Sequence, residues 1–408
     1  MGNPKPFGLS LSKPSPSTAR EEGKPFDRLR ANGGSDALAL YVHWPFCVSK
    51  CPYCDFNSHV RESVDQAAWR AALLRDLTWE AQVSPSGPLT SIFFGGGTPS
   101  LMAPATVAAL IEAAGRHWGL ASDVEITLEA NPSSVEAARF ADLASAGVNR
   151  VSLGLQSLDD SALRFLGRAH DCAEGLAALD VAQRCFERIS FDLIYALPGQ
   201  TEAAWRGELE RALVFGTGHL SLYQLTIEPG TRFAAMAARG ELASRDPDEA
   251  ACLYELTQAA AAAAGLPAYE ISNHARPGEE SRHNLAYWRY RPYLGVGPGA
   301  HGRRGGLATQ RHRKPENWLS ALERNGHGIV EEIALSPDEQ ATEALLMGLR
   351  LSEGVELEAV EGRLDLGAVE RLEGHGLLAR QGTRLVVQPA GRLLLDAILA
   401  EIVTSPSP

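Results

Sequence analysis

Six short apolar runs, each separated from the next by a stretch with helical spacing, constrain this chain more than any other feature. The runs are "ALALYVHW" (37–44), "LTSIFFGGG" (89–97), "VEITLEANP" (124–132), "RVSLGLQS" (150–157), "RISFDLIYALPG" (188–199) and "HLSLYQLTIEPG" (219–230). Between them, "AAWRAALLRDLTWEAQ" and "PATVAALIEAAGRHW" place apolar residues three and four apart, the period of a helix with one buried face. Strand, helix, strand, repeated about six times, predicts a parallel sheet, because parallel neighbours need a crossover between them. The runs read as nearly apolar throughout, as a sheet covered on both faces requires. The expected class is α/β, with a closed or partly closed barrel as the best fit and an open doubly wound sheet as the alternative. With 408 residues, the chain has room for such a barrel and an appendage.

Polar residues gather at the ends of these runs: Gly95, Gly96, Gly97 and Thr98, then Glu129 and Asn131, Gln156, and Pro198 with Gly199. In parallel βα architectures the site lies where the strands end. A cysteine-rich loop follows the first run, so all of these residues are expected to share one mouth.

The flanks differ from this core. Residues 1–36 are rich in Pro, Ser and Gly without apolar periodicity and read as a disordered tail. They lack the apolar core of a secretory signal. Residues 37–330 are taken as the barrel domain and residues 331–408 as a C-terminal domain. In the latter, "SPDEQATEALLMGLRL" opens with a capping box, "LGAVERLEGHG" is a second helix, "LLARQGTRLVVQ" a hairpin around Gly382, and "GRLLLDAILAEIV" a last helix. Helix, hairpin, helix looks like a small winged-helix module. It carries 14 acidic and six basic residues, the wrong sign for gripping phosphate. The whole chain carries −12, which likewise argues against nucleic acid as a partner. No apolar run reaches the roughly 18 residues of a membrane span.

Half of the six cysteines lie in eight positions, "CVSKCPYC", at 47, 51 and 54. Cys172, Cys185 and Cys252 are scattered in helical patterns and are expected to be buried structural thiols. Such usage does not make a disulfide scaffold and points to a reducing compartment, the cytoplasm. Three thiolates admit two readings. One is a structural zinc site completed by His43 or His59. The other is an iron–sulfur cube with one iron left bare, whereas electron-transfer clusters take four cysteines.

The C-x3-C-x2-C loop after the first strand resembles that of the radical S-adenosylmethionine (SAM) family. The resemblance implies that Cys47, Cys51 and Cys54 hold a [4Fe–4S] cluster whose bare iron chelates SAM. An electron from the cluster then splits a carbon–sulfur bond to give a 5′-deoxyadenosyl radical. "FFGGGTPS" resembles the glycine motif that approaches the methionine amine, and Glu129 in "LEANP" matches the residue that binds the ribose hydroxyls.

Further segments narrow the resemblance: "YVHWPFC", "GGGTPSLM", "LEANPSS", "GVNRVSLGLQS", "FDLIYALPGQT", "YEISNHARPGEESRHNLAYW" and "GVGPGAHG". Together, over roughly residues 37–400, they look like the group that unites oxygen-independent coproporphyrinogen III oxidases with related haem chaperones, a resemblance that implies a partial (β/α)6 barrel bearing the cluster and a small C-terminal domain. By motif position, Tyr41, Gly95, Gly96, Gly97, Thr98, Glu129, Gln156, Arg168 and Asp192 are the implied SAM-site residues. Two features favour the chaperone branch. The oxidases have a cysteine two positions after the third ligand, where this chain has Phe56. They also lack "RHNLAYW", which resembles an H-N-x-x-Y-W motif of the chaperones. His283 and Tyr287, four apart, share a helical face and are the candidate haem contacts. Trp288 is a possible apolar wall, and Arg276, Arg282, Arg289 and Arg291 are possible partners for the propionates. His274 and His301 are less specific. The implied function is delivery of haem to respiratory apoproteins, some of them membrane-associated, with an electron donor as a further partner. The rival is radical-driven decarboxylation of coproporphyrinogen III; a scaffold with a structural metal is the distant third.

Overall fold

The computed structural model describes residues 38–404. The tail expected over 1–36 therefore lies outside the described residues. Six strands form the centre of the molecule: β1 (Leu38–Trp44), β2 (Leu89–Gly96), β3 (Leu120–Ala130), β4 (Arg150–Gln156), β5 (Arg188–Tyr195) and β6 (His219–Gln224). All are parallel and stand side by side in chain order. Every crossover thus moves in one direction, and right-handed connections then place all the helices on one side. This is the winding of a barrel; a doubly wound sheet reverses its strand order at a switch point.

Additional strands extend the barrel sheet at both edges. Beside β6 lies β7 (Asn273–Ala275), antiparallel. Beside β1 lies β8 (Tyr293–Val296), parallel, followed by an antiparallel meander of β9 (His301–Arg304), β10 (Leu307–Arg311) and β11 (Ile329–Ala334). The eleven strands form one mostly parallel sheet. Strand β11 crosses the expected domain boundary at residue 330. Its pairing to β10 ties it to the barrel, so the second unit starts after Ala334.

The six central strands alternate, contrary to the expectation of apolar runs covered alike on both faces. On β3, Ile126 and Leu128 join the large apolar core under the helices, while Glu125, Thr127 and Glu129 take the intervening positions. Strand β4 repeats this with Val151 and Leu153 against Arg150 and Ser152, and β5 with Phe191 and Leu193 against Ser190 and Asp192. Side chains two apart share a face, so the outer face is apolar and the barrel interior is polar. The helix α1 (Gln66–Val83), capped by Asp65, buries Trp69, Leu73 and Leu77 against that outer face. The helix α2 (Pro104–Trp118) does the same with Val107, Leu110, Ile111 and Trp118.

The C-terminal unit has its own apolar cluster, including Leu345, Leu349, Val369, Leu385 and Ile398. Its first helix, α3 (Pro337–Gly348), has the expected capping box between Ser336 and Glu339. The helix Leu366–Gly374 and a three-stranded antiparallel sheet with its hairpin at Arg380–Arg384 complete the winged-helix pattern with the helix Leu395–Ile402. Arg289 joins this unit to the barrel through a two-pronged pair with Glu353, both contacts at 2.7 Å.

Candidate cluster and ligand site

Cys47, Cys51 and Cys54 leave β1 at the mouth of the barrel, and all three are free, partly buried thiols. The loop is stitched in place from several sides. Gly97 N donates to the Trp44 carbonyl at 2.7 Å and Thr98 N to that of Phe46 at 2.9 Å. Phe233 N donates to the Pro52 carbonyl at 2.9 Å. Asn57, past the third cysteine, donates to the carbonyls of Pro298 and Arg313 at 2.9 and 3.0 Å.

The glycine turn at the end of β2 has a packing reason. Gly96 has φ +116, and a Cβ there would meet the His43 ring at 2.6 Å. A Cβ on Gly97 would lie 2.7 Å from the Phe46 carbonyl oxygen. Only glycine lets this turn lie against the cysteine loop. A Cβ on the adjoining Gly95 would lie 2.8 Å from the ring of Tyr41.

A chain of hydrogen bonds links two of the sulfurs. Thr98 Oγ1 donates to Cys47 Sγ at 3.5 Å, and Asn131 Nδ2 donates to that hydroxyl at 3.1 Å. Asn131 Oδ1 accepts from Arg168 Nη2 at 2.6 Å, and Arg168 Nη1 reaches Cys51 Sγ at 3.3 Å. Burial pushes the Cys47 and Cys54 thiols up from their ordinary range. Cationic and hydroxyl donors on the sulfurs favour the thiolates that a metal cluster requires.

The donor set fits a cube better than a single ion. Among the described residues no three His, Cys, Asp or Glu side chains converge as one ion demands. A four-iron cube takes one thiolate per corner, which three separate sulfurs on one loop can supply. His43, the suggested fourth zinc ligand, already uses both ring nitrogens, on the Tyr41 hydroxyl and the Asn57 carbonyl, each at 2.9 Å.

The remaining expected SAM-site residues surround the same mouth. Glu129 accepts from Gly96 N at 3.1 Å; burial, reinforced by the charge of Asp192, pushes its carboxyl up to about 8. Burial pushes Asp192 up to about 6. Gln156 closes β4 with φ +69, and its amide lies with Arg168 over Gly154. Tyr41 stacks on Phe93, ring centroids 6.2 Å apart.

The segment Arg282–Trp288 forms the helix α4, N-capped by Ser281. It lies inside the barrel against β1 and β2. His283 stacks on Phe93 at 4.9 Å, and its Nδ1 meets the Ser91 hydroxyl at 3.2 Å. Burial lowers its imidazole to about 4, so the ring is neutral at physiological pH. Tyr287 packs edge-on against Tyr293, and Trp288 lies under the Arg350 guanidinium at 4.7 Å. The arginines suggested for propionates are largely committed elsewhere. Arg282 pairs with Asp123, Arg289 with Glu353, and Arg276 donates to the Gly216 carbonyl. His274 is fully buried with the Ser272 backbone beside its ring, and burial lowers its imidazole to about 4; His301 opens β9. Contrary to the expectation of buried thiols, Cys252 is exposed, because it falls on the outer side of its helix, and Cys172 and Cys185 are only half-buried. Phe93 and Arg150 were missed; "FFGGG" and "GVNRV" contain them, but nothing in those strings says which face they occupy.

A mostly parallel barrel with a three-cysteine loop at its mouth defines a radical SAM protein, and residues 41–212 match the Radical SAM superfamily model. Membership implies a [4Fe–4S] cluster and SAM as cofactors. Residues 335–394 match the HemN C-terminal domain. The heme chaperone HemW of Mycobacterium tuberculosis is 36% identical over 370 residues, covering 90% of this chain and 95% of that protein. HemW of Escherichia coli is 41% identical over 268 residues, with 65% and 70% covered. The mitochondrial radical S-adenosyl methionine domain-containing protein 1 of Bos taurus is 41% identical over 390 residues, covering 91% and 88%. The structure of E. coli coproporphyrinogen III oxidase, HemN, superposes with a TM-score of 0.75 over 90% of each chain at 23% identity. The chain belongs to the HemW family within the radical SAM superfamily. Among the described residues no helix is long and apolar enough to cross a membrane.

Proposed function

We propose that this protein is a haem chaperone that binds a [4Fe–4S] cluster, SAM and haem, and passes haem to an apoprotein. Cys47, Cys51 and Cys54 would hold the cluster, with Thr98 and Arg168 donating to its sulfurs. Tyr41, Gly95, Gly96, Gly97, Glu129, Gln156 and Asp192 would line the SAM site. When bound, cluster and SAM supply one-electron reduction of a sulfonium, which needs an external electron donor. A reducing compartment, the cytoplasm, suits three unpaired, partly buried thiols of this kind.

The observation that carries the haem reading is the state of His283. Its ring is neutral, Nδ1 is engaged by Ser91, and Nε2 takes no hydrogen bond among the described residues. A neutral imidazole whose other nitrogen is held is the form that ligates iron. Tyr41, Phe93 and His283 add flat surfaces in contact with one another. Ligation by a single imidazole suits exchange more than permanent retention.

The test compares delivery with catalysis. Reconstituted protein is titrated with haem and, separately, given SAM, a low-potential reductant and coproporphyrinogen III. A saturable Soret shift that weakens in His283→Ala, without porphyrinogen turnover, is expected. Protoporphyrinogen formed over many turnovers would establish the oxidase reading instead.

A further inference from the structure

Arg150 opens β4 and faces the barrel interior, 2% exposed. Among the described residues no carboxylate lies within ion-pair distance of it. Its hydrogen bond runs from Nη1 to the Thr127 hydroxyl, a long 3.5 Å. Arg150 is the leading charge that lowers the Glu125 carboxyl against its burial, ahead of Arg188, but at hydrogen-bond distance that carboxylate is held by Arg188 at 2.6 Å and by Ser281 Oγ and His283 N. Desolvating a guanidinium costs several kcal/mol unless partners replace the water. Here Glu125 supplies charge from beyond ion-pair distance, and among the described residues the one side-chain hydrogen bond to the guanidinium is the long one from Nη1 to Thr127.

The position of Arg150 is informative. Phe93, Thr127 and Arg150 are in register across β2, β3 and β4, and the His283 ring stacks on Phe93. Guanidinium and neutral imidazole therefore occupy the same tier of the interior. Glu129 and Ser152 stand one tier higher, about 7 Å nearer the mouth at two residues per tier. Tyr41, Phe93, Glu129, Ser152, Asp192 and His283 are each partly exposed, so the interior is open above Arg150. Glu129, pushed up to about 8, is mostly protonated at neutral pH and does not repel an incoming anion; Asp192, near 6, is the group that still does.

We propose that Arg150 anchors a carboxylate-binding subsite at the floor of the barrel, which takes an alkyl carboxylate of the tetrapyrrole. This rests on the haem reading above. A guanidinium presents two parallel donors that match a carboxylate, and buried charge-assisted pairs of this kind discriminate strongly against neutral analogues.

The test is a Soret titration of cluster-loaded full-length protein with haem and with haem dimethyl ester, in wild type, Arg150→Gln and Arg150→Lys. Wild type is expected to prefer the free acid by roughly tenfold or more, the worth of one charge-assisted hydrogen bond. Arg150→Gln is expected to lose that preference while binding the ester as before, and Arg150→Lys to keep part of it. Thermal melting and iron content verify the fold of each variant; should Arg150→Gln fail to fold, Arg150→Lys and the wild-type comparison decide. Equal affinity of wild type for acid and ester, or a preference that survives the loss of the guanidinium, overturns the subsite alone. Failure of wild type to bind either ligand overturns the haem reading and the subsite with it.

Discussion

Arg168 donates to the sulfur of Cys51 across 3.3 Å, although 117 residues separate them in sequence. The other end of the same guanidinium holds Asn131 and the Gly154 carbonyl at 2.6 and 2.9 Å, so the donor is fixed and not a roaming surface charge. Positive charge and hydrogen bonds at a cluster sulfur raise its reduction potential. Arg168→Met is expected to lower the midpoint potential of the reconstituted cluster by tens of millivolts, read by potentiometric EPR. An unchanged potential with full iron content would show that the contact does not tune the cluster.

The turn at Gly97 makes a steric prediction. Gly97→Ala brings a methyl to 2.7 Å from the Phe46 carbonyl oxygen and 2.9 Å from its nitrogen. Backbone cannot yield there without moving Cys47. Iron per chain after anaerobic reconstitution is expected to fall severalfold. Gly207→Ala is the control: a Cβ there meets nothing within 4 Å, and alanine in a helix gains about 0.5–1 kcal/mol.

Glu129 makes the fold pH-sensitive. Its carboxyl titrates near 4.5 when unfolded and at about 8 in the fold, because burial and Asp192 disfavour its charge. The folded state therefore holds the proton that the unfolded state releases. This group's contribution is most favourable below pH 4.5 and is lost as pH rises toward 8, by about 1.4 kcal/mol per pH unit. Between pH 5 and 8, the melting temperature of cluster-free wild type is expected to fall relative to Glu129→Gln. Parallel curves for the two proteins would contradict the raised pKa.

How far the sequence could be read follows from which residues meet at short range. The strand–helix rhythm revealed the six central strands, and the cysteine spacing marked the mouth. The period-two alternation in "VEITLEA" and "RVSLG" was visible too, yet reading those runs as apolar hid the polar interior. Glu125, Arg150 and Asp192 look like incidental interruptions until β3, β4 and β5 stand side by side. The segment "RHNLAYW" suggested a helical face, but only tertiary packing turns His283 inward onto Phe93. The meander of β9 to β11 lies beyond local pattern, because its order depends on partners far away in the chain.

One such partnership is the buried ion cluster that fastens the meander to α1. Asp76 accepts from Arg311 Nε at 2.7 Å, from Trp318 Nε1 at 3.3 Å, and from the backbone of Gly297 and Gly328 at 3.0 and 3.2 Å. Glu80 takes Arg311 and Arg304, both at 2.8 Å. Asp76→Ala leaves Arg311 short of a partner in full burial and is expected to cost about 3–5 kcal/mol in urea unfolding. A loss below about 1 kcal/mol, the range of ordinary surface changes, would contradict the role assigned to the cluster.

All of the functional proposals depend on three thiolates carrying an iron–sulfur cube. Iron and acid-labile sulfide, measured per chain after anaerobic reconstitution of wild type and Cys51→Ala, test this most directly. About four of each per wild-type chain, with loss of the brown chromophore in Cys51→Ala, is the expected result. Stoichiometric zinc without sulfide in wild type, or full iron and sulfide in Cys51→Ala, would contradict it.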